Sequence, residues 1–145
     1  MALKLPTREL GRGGPQVVAL GVGVTGRRGG AGVGATNAYL DRAYELGETN
    51  WDSENLCGDT DAMVGRWFER TGKRNEIFLA TKFGFVDTIM DPPTRIRTDA
   101  ENVFASCESS LKRLQTDWID LFYCRRVDGK TPIEKTVQAM AELKK

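Results

Sequence analysis

The 145-residue sequence contains no histidine. Within these residues, histidine-dependent catalytic triads, histidine general bases and histidine-ligated metal sites are therefore excluded. Cysteines are few as well: Cys57, Cys107 and Cys124 are odd in number and show no CxxC spacing. This pattern argues against a disulfide framework and against a zinc site, so we expect no bound metal.

Long apolar runs and blocks of like charge are also missing. No segment of 18 or more apolar residues occurs, so we expect no membrane span, and the first six residues lack the apolar run of a signal peptide. The 21 basic and 20 acidic residues leave a net charge of +1. We therefore expect no nucleic-acid or membrane partner, and a cytoplasmic location.

What the sequence has is a regular alternation of strand and helix patterns. A hairpin is predicted over 7–18 around the glycine-rich turn 11–15, and the apolar segment 19–24 is predicted to be a buried strand before a glycine-rich loop over 25–35. Further strands are predicted over 48–52, 76–82 and 118–124, and helices are predicted to begin at Thr36 or Asn37, at Asp59 or Thr60, at Thr98 and at Thr131. Strands separated by helices imply a parallel sheet covered on both faces, by doubly wound layers or by barrel closure.

Two of these helix starts carry a capping-box pattern. Thr98 is followed three residues later by Glu101, and Thr131 by Glu134. In a capping box the threonine hydroxyl accepts a hydrogen bond from the third helical N–H, and the glutamate reaches back. We therefore predict that Thr98 and Thr131 cap their helices, with Pro132 in the first helical position.

One glycine motif allows a different interpretation. The segment 21–26 matches GxGxxG after a strand, as in dinucleotide-binding Rossmann folds. In those folds a helix follows at once, so this alternative predicts a helix beginning near Thr25. Another glycine-rich run follows here instead, and such a run disfavours helix formation.

Several segments together resemble the aldo/keto reductase family over essentially the whole chain. They are LGVG at 20–23, LDRAYELG at 40–47, NWDSENLCG at 50–58, LATK at 79–82, SLKRL at 110–114 and DWIDL at 117–121. The resemblance implies an α/β fold: the N-terminal half of a (β/α)8 TIM barrel with an N-terminal hairpin and four parallel strands alternating with helices. Residues 1–145 would then hold the first four βα units of the barrel, and the C-terminal half would be absent.

The resemblance also implies an activity: reduction of a small-molecule aldehyde or ketone to an alcohol with hydride from NADPH. In such enzymes a tyrosine donates the proton, a lysine lowers the pKa of that tyrosine, an aspartate holds the lysine and a histidine orients the carbonyl. The matching positions here are Cys57, Lys82, Asp52 and Arg125, in that order. Two of the four positions therefore depart from the family pattern.

The cofactor contacts implied by the resemblance are Gly23, Val24 and Asp52, all on the nicotinamide side. Most contacts with NADP(H) in the family come from later strands and loops, so binding by this chain alone is expected to be weak.

The two departures have physical consequences for catalysis. Cys57 is shorter than tyrosine, and next to Lys82 its thiol would ionise to a thiolate, which cannot donate a proton. Arg125 is a permanent cation that could donate to an oxyanion, repel Lys82, or pair with Asp52. We therefore expect weak or no turnover. The alternative is a non-catalytic, degenerate half barrel that forms a homodimer, or pairs with a full-length relative, through its open edges.

Overall fold

The computed structural model describes residues 5–24, 33–54, 60–86 and 95–144, with the backbone alone over 33–36. Its strands and helices alternate along the chain after an initial pair of strands. In chain order they are β1 (Thr7–Glu9), β2 (Gln16–Val18), β3 (Val22–Gly23), α1 (Val33–Glu45), β4 (Asn50–Asp52), α2 (Thr60–Thr71), β5 (Phe78–Phe83), α3 (Ala100–Leu114), β6 (Leu121–Cys124) and α4 (Ile133–Glu142). A 3₁₀ turn, Arg74–Glu76, precedes β5. No helix in the described ranges is long and apolar enough to cross a membrane.

Two sheets form. β1 and β2 make the predicted antiparallel hairpin, and Asn50 Nδ2 donates to Val18 O at 3.1 Å, which attaches the hairpin to the start of β4. The remaining strands form one parallel sheet in the order β3-β4-β5-β6. This arrangement confirms the predicted fold of parallel strands alternating with helices. All four strands end at the same edge of the sheet, because parallel strands run in one direction.

Strand alternation separates two faces of this sheet. Trp51 of β4 and Leu79 of β5 point toward the helices, where they form a core with side chains from α1, α2 and α3. Its buried members are Val24, Leu40, Trp51, Val64, Trp67, Phe68, Ile77, Leu79 and Leu114. The next residue in each strand points to the opposite face, which is the concave side of a barrel. That face carries Asp52 and Lys82.

Glycines end the first two helices. Gly47 has φ +85° and donates to Tyr44 O at 2.9 Å, while Glu48 N donates to Ala43 O at 3.0 Å. These two bonds form a Schellman motif, which requires the left-handed conformation that glycine adopts without strain. Gly72 closes α2 with φ +67°.

The start of the barrel differs from prediction. β3 contains only Val22 and Gly23, and Leu20 is exposed, so the predicted buried strand over 19–24 was too long. Helix α1 begins at Val33, earlier than the predicted start at Thr36 or Asn37. The predicted loop over 25–35 was wrong at its end, since residues 33–35 are helical. Its remainder, and the helix that a Rossmann fold would begin near Thr25, lie outside the described residues.

The capping box predicted at Thr98 was wrong by one residue. Asp99 is the N-cap of α3, and its carboxylate accepts from Asn102 N at 3.2 Å. A carboxylate is a stronger acceptor than a hydroxyl, so Asp99 takes the cap position. Glu101 pairs with Arg97 at 2.9 Å instead of reaching back to the cap. The Thr98 hydroxyl is buried and has no hydrogen-bond partner among the described residues.

The box predicted at Thr131 was also wrong. Pro132 is the N-cap of α4 rather than its first helical residue, and no side chain caps this helix. The hydroxyl of Thr131 donates to Asp128 at 2.8 Å. A nearby carboxylate therefore draws the hydroxyl away from the helix backbone.

Candidate active site

An ion pair joins the carboxyl ends of β4 and β5. Lys82 Nζ lies 2.5 Å from Asp52 Oδ1 and also donates to Ser53 O at 2.9 Å. The strand register produces this contact, because Asp52 pairs with Ala80, two residues before Lys82 on the same face. The side chains are 45% (Asp52) and 20% (Lys82) exposed, so both groups remain accessible to a ligand.

A phenol faces this ion pair from the next strand. Tyr123 of β6 is directly opposite Lys82 in the register, and its ring centroid lies 5.9 Å from Lys82 Nζ. The Tyr123 side chain is exposed on the concave face. Sequence reasoning did not single out Tyr123, although the parallel register of two predicted strands would have placed it beside the lysine.

Arg125 pairs with Glu54, not with Asp52. One guanidinium nitrogen of Arg125 contacts Glu54 Oε2, and the guanidinium lies over the ring of Phe85 at 5.3 Å. Pairing with Asp52, one of the three possibilities that the sequence left open for Arg125, is therefore not the arrangement observed. Glu54 was missed by sequence reasoning; its only signal was an acidic side chain two residues beyond Asp52.

Gly23 and Val24, which were predicted to contact a cofactor, differ in environment. A Cβ placed on Gly23 would meet no atom of the described residues within 4 Å, so none of these residues fills the space beside the end of β3. Val24 is buried in the core beside Leu40 and Trp51, and its N–H donates to Asp52 O at 2.8 Å. Any contact of Val24 with a cofactor would therefore use its backbone.

Of the three cysteines, Cys107 and Cys124 lie among the described residues and Cys57 lies outside them. Burial raises the pKa of the Cys107 thiol, and burial likewise raises the pKa of the Cys124 thiol. Both thiols are thus protonated and poorly nucleophilic near neutral pH.

Residues 23–145 match the sequence model of the Aldo/keto reductase family. The chain belongs to this family. It is 45% identical over 150 residues to aldo-keto reductase str7 of Strobilurus tenacellus, covering 99% of this chain and 43% of that protein. It is 38% identical over 143 residues to aldo-keto reductase yakc [NADP(+)] of Schizosaccharomyces pombe, covering 95% of this chain and 42% of that protein.

A solved structure agrees with the fold. Aldo-keto reductase AKR11C1 from Bacillus halodurans, in its holo form, superposes with a TM-score of 0.85 at 29% identity. The match covers 97% of this chain and 46% of that one. The chain thus spans less than half the length of the family members it matches here.

Of the predicted catalytic positions, the structure brings together the two that match the aldo/keto reductase pattern. It separates these two from Arg125, which does not match that pattern. Asp52 and Lys82 form the ion pair, whereas Arg125 is bound to its own carboxylate, Glu54. Among the described residues, the ends of β4, β5 and β6 therefore carry two separate ion pairs. Sequence comparison with the family pattern explains the first pair, and only the structure reveals the second.

Proposed function

We propose that residues 1–145 form the first four βα units of a (β/α)8 barrel and carry the site of a cytoplasmic oxidoreductase of aldo/keto reductase type. The proposed reaction is NADPH-dependent reduction of an aldehyde or ketone to an alcohol, with weak or no turnover by this chain. The observation that carries the proposal is the Asp52–Lys82 ion pair at the ends of adjacent parallel strands. Ligand sites in parallel α/β folds lie at this edge of the sheet.

The residues present fit the nicotinamide end of the cofactor. Gly23 offers an open surface against which a planar ring can pack, and Asp52 presents a half-exposed carboxylate next to it in the register. When bound, NADPH would supply the hydride. Asp52 holds Lys82 in place, and the ammonium of Lys82 stabilises negative charge that develops on a neighbouring proton donor.

The proton donor is the weak point of the site and the reason for the low expected turnover. The family position is Cys57, whose side chain is too short to take over the reach of a phenol. Tyr123 is the tyrosine whose ring lies near Lys82. If reduction is detected, Tyr123→Phe should abolish it and Cys57→Ala should not, provided that Tyr123 has replaced the family donor. The opposite result would assign the proton to Cys57.

The ion pair of Arg125 adds a second obstacle to turnover. Its guanidinium is engaged by the buried Glu54, so fewer of its donors are free to orient a carbonyl oxygen. A histidine at position 125 would leave Glu54 buried without a cation, which is costly. Restoring the family pattern therefore requires changing Glu54 together with Cys57 and Arg125.

NADPH binding, followed by quenching of cofactor fluorescence, tests this proposal. The wild type is compared with a Glu54→Ala, Cys57→Tyr, Arg125→His triple variant, and oxidation of NADPH by an aldehyde panel is followed in parallel. We expect weak binding and little oxidation by the wild type, with both increased in the variant. Robust oxidation by the wild type would overturn the expected weakness, and absence of binding by both proteins would overturn the cofactor assignment.

The second candidate is a non-catalytic half barrel that pairs with another copy of itself through its open edges. Two observations favour it. The edge strand β6 has no further strand beside it among the described residues. The apolar side chains of Ile133 and Val137, both in α4, are exposed. Four parallel strands from each copy would complete an eight-stranded barrel. Light scattering distinguishes the candidates, because this one requires a dimer that Val137→Lys weakens. A stable monomer would count against it.

A further inference from the structure

We infer that Asp61 is a positioning residue that fixes the Asp52–Lys82 pair from behind the sheet. It lies in the first turn of α2, on the helix side of the sheet, and its carboxylate is buried. It does not touch the ion pair. That the ion pair serves carbonyl reduction rests on the proposed function, whereas its positioning by Asp61 can be measured without any reaction.

The Asp61 carboxylate connects three other elements of the fold. Oδ1 accepts from Ser53 Oγ at 2.7 Å and from Thr81 Oγ1 at 3.1 Å. Oδ2 accepts from Ser110 Oγ of α3 at 2.8 Å and lies 3.4 Å from the guanidinium of Arg113. A buried carboxylate is tolerated only when its lone pairs are satisfied, and these contacts satisfy both oxygens.

Ser53 and Thr81, whose hydroxyls bind Asp61, are each next in sequence to one residue of the ion pair. Ser53 directly follows Asp52, and Thr81 directly precedes Lys82. Because alternate residues of a strand point to opposite faces, Ser53 and Thr81 point toward Asp61 while Asp52 and Lys82 point into the concave face. A single carboxylate oxygen thus holds the two strand ends at the spacing at which the lysine reaches the aspartate.

The packing of α2 against α3 makes this contact possible. Gly65 lies one turn after Asp61 on the same face of α2, and a Cβ there would be 2.2 Å from Arg113 O. The absence of a side chain lets α3 come close enough for Ser110 to reach the carboxylate. The position of α3 is thereby coupled through Asp61 to the geometry of the ion pair.

The cleanest variant is Ser110→Ala, because Ser110 is distant in sequence from both members of the pair and is connected to them through Asp61. The matched control is Ser106→Ala, which removes another buried serine hydroxyl from the same face of α3 but one that does not contact Asp61. The readout is the pair of ¹³Cε and ¹⁵Nζ resonances of Lys82 in the labelled 145-residue chain, assigned with Lys82→Arg. Circular dichroism and a urea midpoint report on folding of each variant.

We expect Ser110→Ala to move the Lys82 resonances by more than their linewidths, and Ser106→Ala to leave them in place even if both variants are equally destabilised. Asp61→Asn should produce a larger movement in the same direction if it folds. A folded Ser110→Ala protein with wild-type Lys82 resonances would overturn the inference. Failure of both the wild type and the triple variant to bind NADPH would overturn the cofactor assignment of the proposed function and leave this result unaffected.

Discussion

Arg125 and Glu54 form an ion pair that passes across β5, since Glu54 follows β4 and Arg125 follows β6. The two partners are unequally exposed: the Glu54 side chain is 9% exposed and the Arg125 side chain 35%. Water can therefore solvate the guanidinium of Arg125 in part, whereas the buried carboxylate of Glu54 relies on the ion pair to compensate its charge. The face of Phe85, 5.3 Å from the guanidinium carbon, supplies a second attraction that holds Arg125 in place.

Removing the cation should expose this dependence. Arg125→Met leaves the Glu54 carboxylate buried without its partner, and we expect a loss of about 1–3 kcal/mol in the free energy of unfolding. The expected loss is smaller than for a fully buried pair because Arg125 is partly solvated. Urea unfolding of Glu54→Gln, Arg125→Met and the double variant measures the coupling. If the two single losses simply add in the double variant, the ion pair contributes nothing beyond its separate side chains.

The contact between α2 and α3 predicts a second effect. Gly65→Ala places a Cβ 2.2 Å from Arg113 O, so the helices must separate. We expect a net destabilisation of about 1–3 kcal/mol, because this strain exceeds the roughly 1 kcal/mol that alanine gains over glycine in helix propensity. Gly23→Ala is the control, since its Cβ meets nothing within 4 Å. Equal urea midpoints for the two variants would contradict the close approach of the helices.

The order of the elements could be predicted because it depends on local patterns. Apolar strand segments, helix periodicity and the glycines at 47 and 72 are each readable over a few residues. Boundaries were less predictable where two groups compete for one hydrogen bond. Thr98 and Thr131 match a capping box, yet Asp99 takes one cap and Asp128 binds the other hydroxyl. Both carboxylates are close in sequence, one residue after Thr98 and three residues before Thr131, so the capping-box pattern failed because it ignores a stronger acceptor next to it.

The candidate site shows a second limit. The pairing of Asp52 with Lys82 could be predicted because the resemblance to the aldo/keto reductase family implies it, and the strand register brings the two residues together. The contact of Glu54 with Arg125 crosses an intervening strand, and the Asp61 cluster joins α2 to α3. Such contacts depend on helix packing and on loop conformation after the strands. No spacing rule in the sequence identifies them.

The contacts of Arg74 lead us to expect that even a conservative substitution at this position will destabilise the fold. Its guanidinium donates to Ile77 O at 2.8 Å, to Trp118 O at 3.0 Å and to the Asp120 carboxylate at 2.8 Å. It thereby ties the start of β5 to the segment before β6. A lysine ammonium is a compact donor that cannot span these acceptors at once. We expect Arg74→Lys to lower the free energy of unfolding by about 1–3 kcal/mol.

The matched control for Arg74 is Arg42→Lys, which alters an exposed arginine that pairs with Glu45 within one helix. Exposed pairs of this kind contribute little, so the control should lie within about 0.5 kcal/mol of the wild type. Chemical unfolding followed by tryptophan fluorescence measures both proteins. Equal stability of the two variants would show that lysine can replace the bonds of Arg74.

The contacts of Asp128 lead us to expect that the stability of the fold decreases at acidic pH. Its carboxylate accepts from Thr131 N at 2.7 Å, from Lys130 N at 2.8 Å and from the Thr131 hydroxyl at 2.8 Å. These bonds, chiefly the one from Thr131 N, hold the pKa of Asp128 well below its ordinary value of 3.8. Since the folded pKa is the lower one, the carboxylate stabilises the fold fully above pH 3.8. That contribution is lost progressively as the pH falls below 3.8 toward the folded pKa.

The pH dependence of the urea midpoint tests this expectation, measured from about pH 6 down to about pH 3. The wild type should lose stability across the acidic end of this range, and Asp128→Asn should show a flatter profile from a lower starting point, because an amide cannot lose the charge that these N–H groups stabilise. Asp117→Asn serves as the control, since Asp117 is an exposed carboxylate outside these contacts, and it should retain the wild-type slope. Parallel profiles for the wild type and Asp128→Asn would mean that other carboxylates govern acid unfolding, and that the turn before α4 holds its shape without the charge.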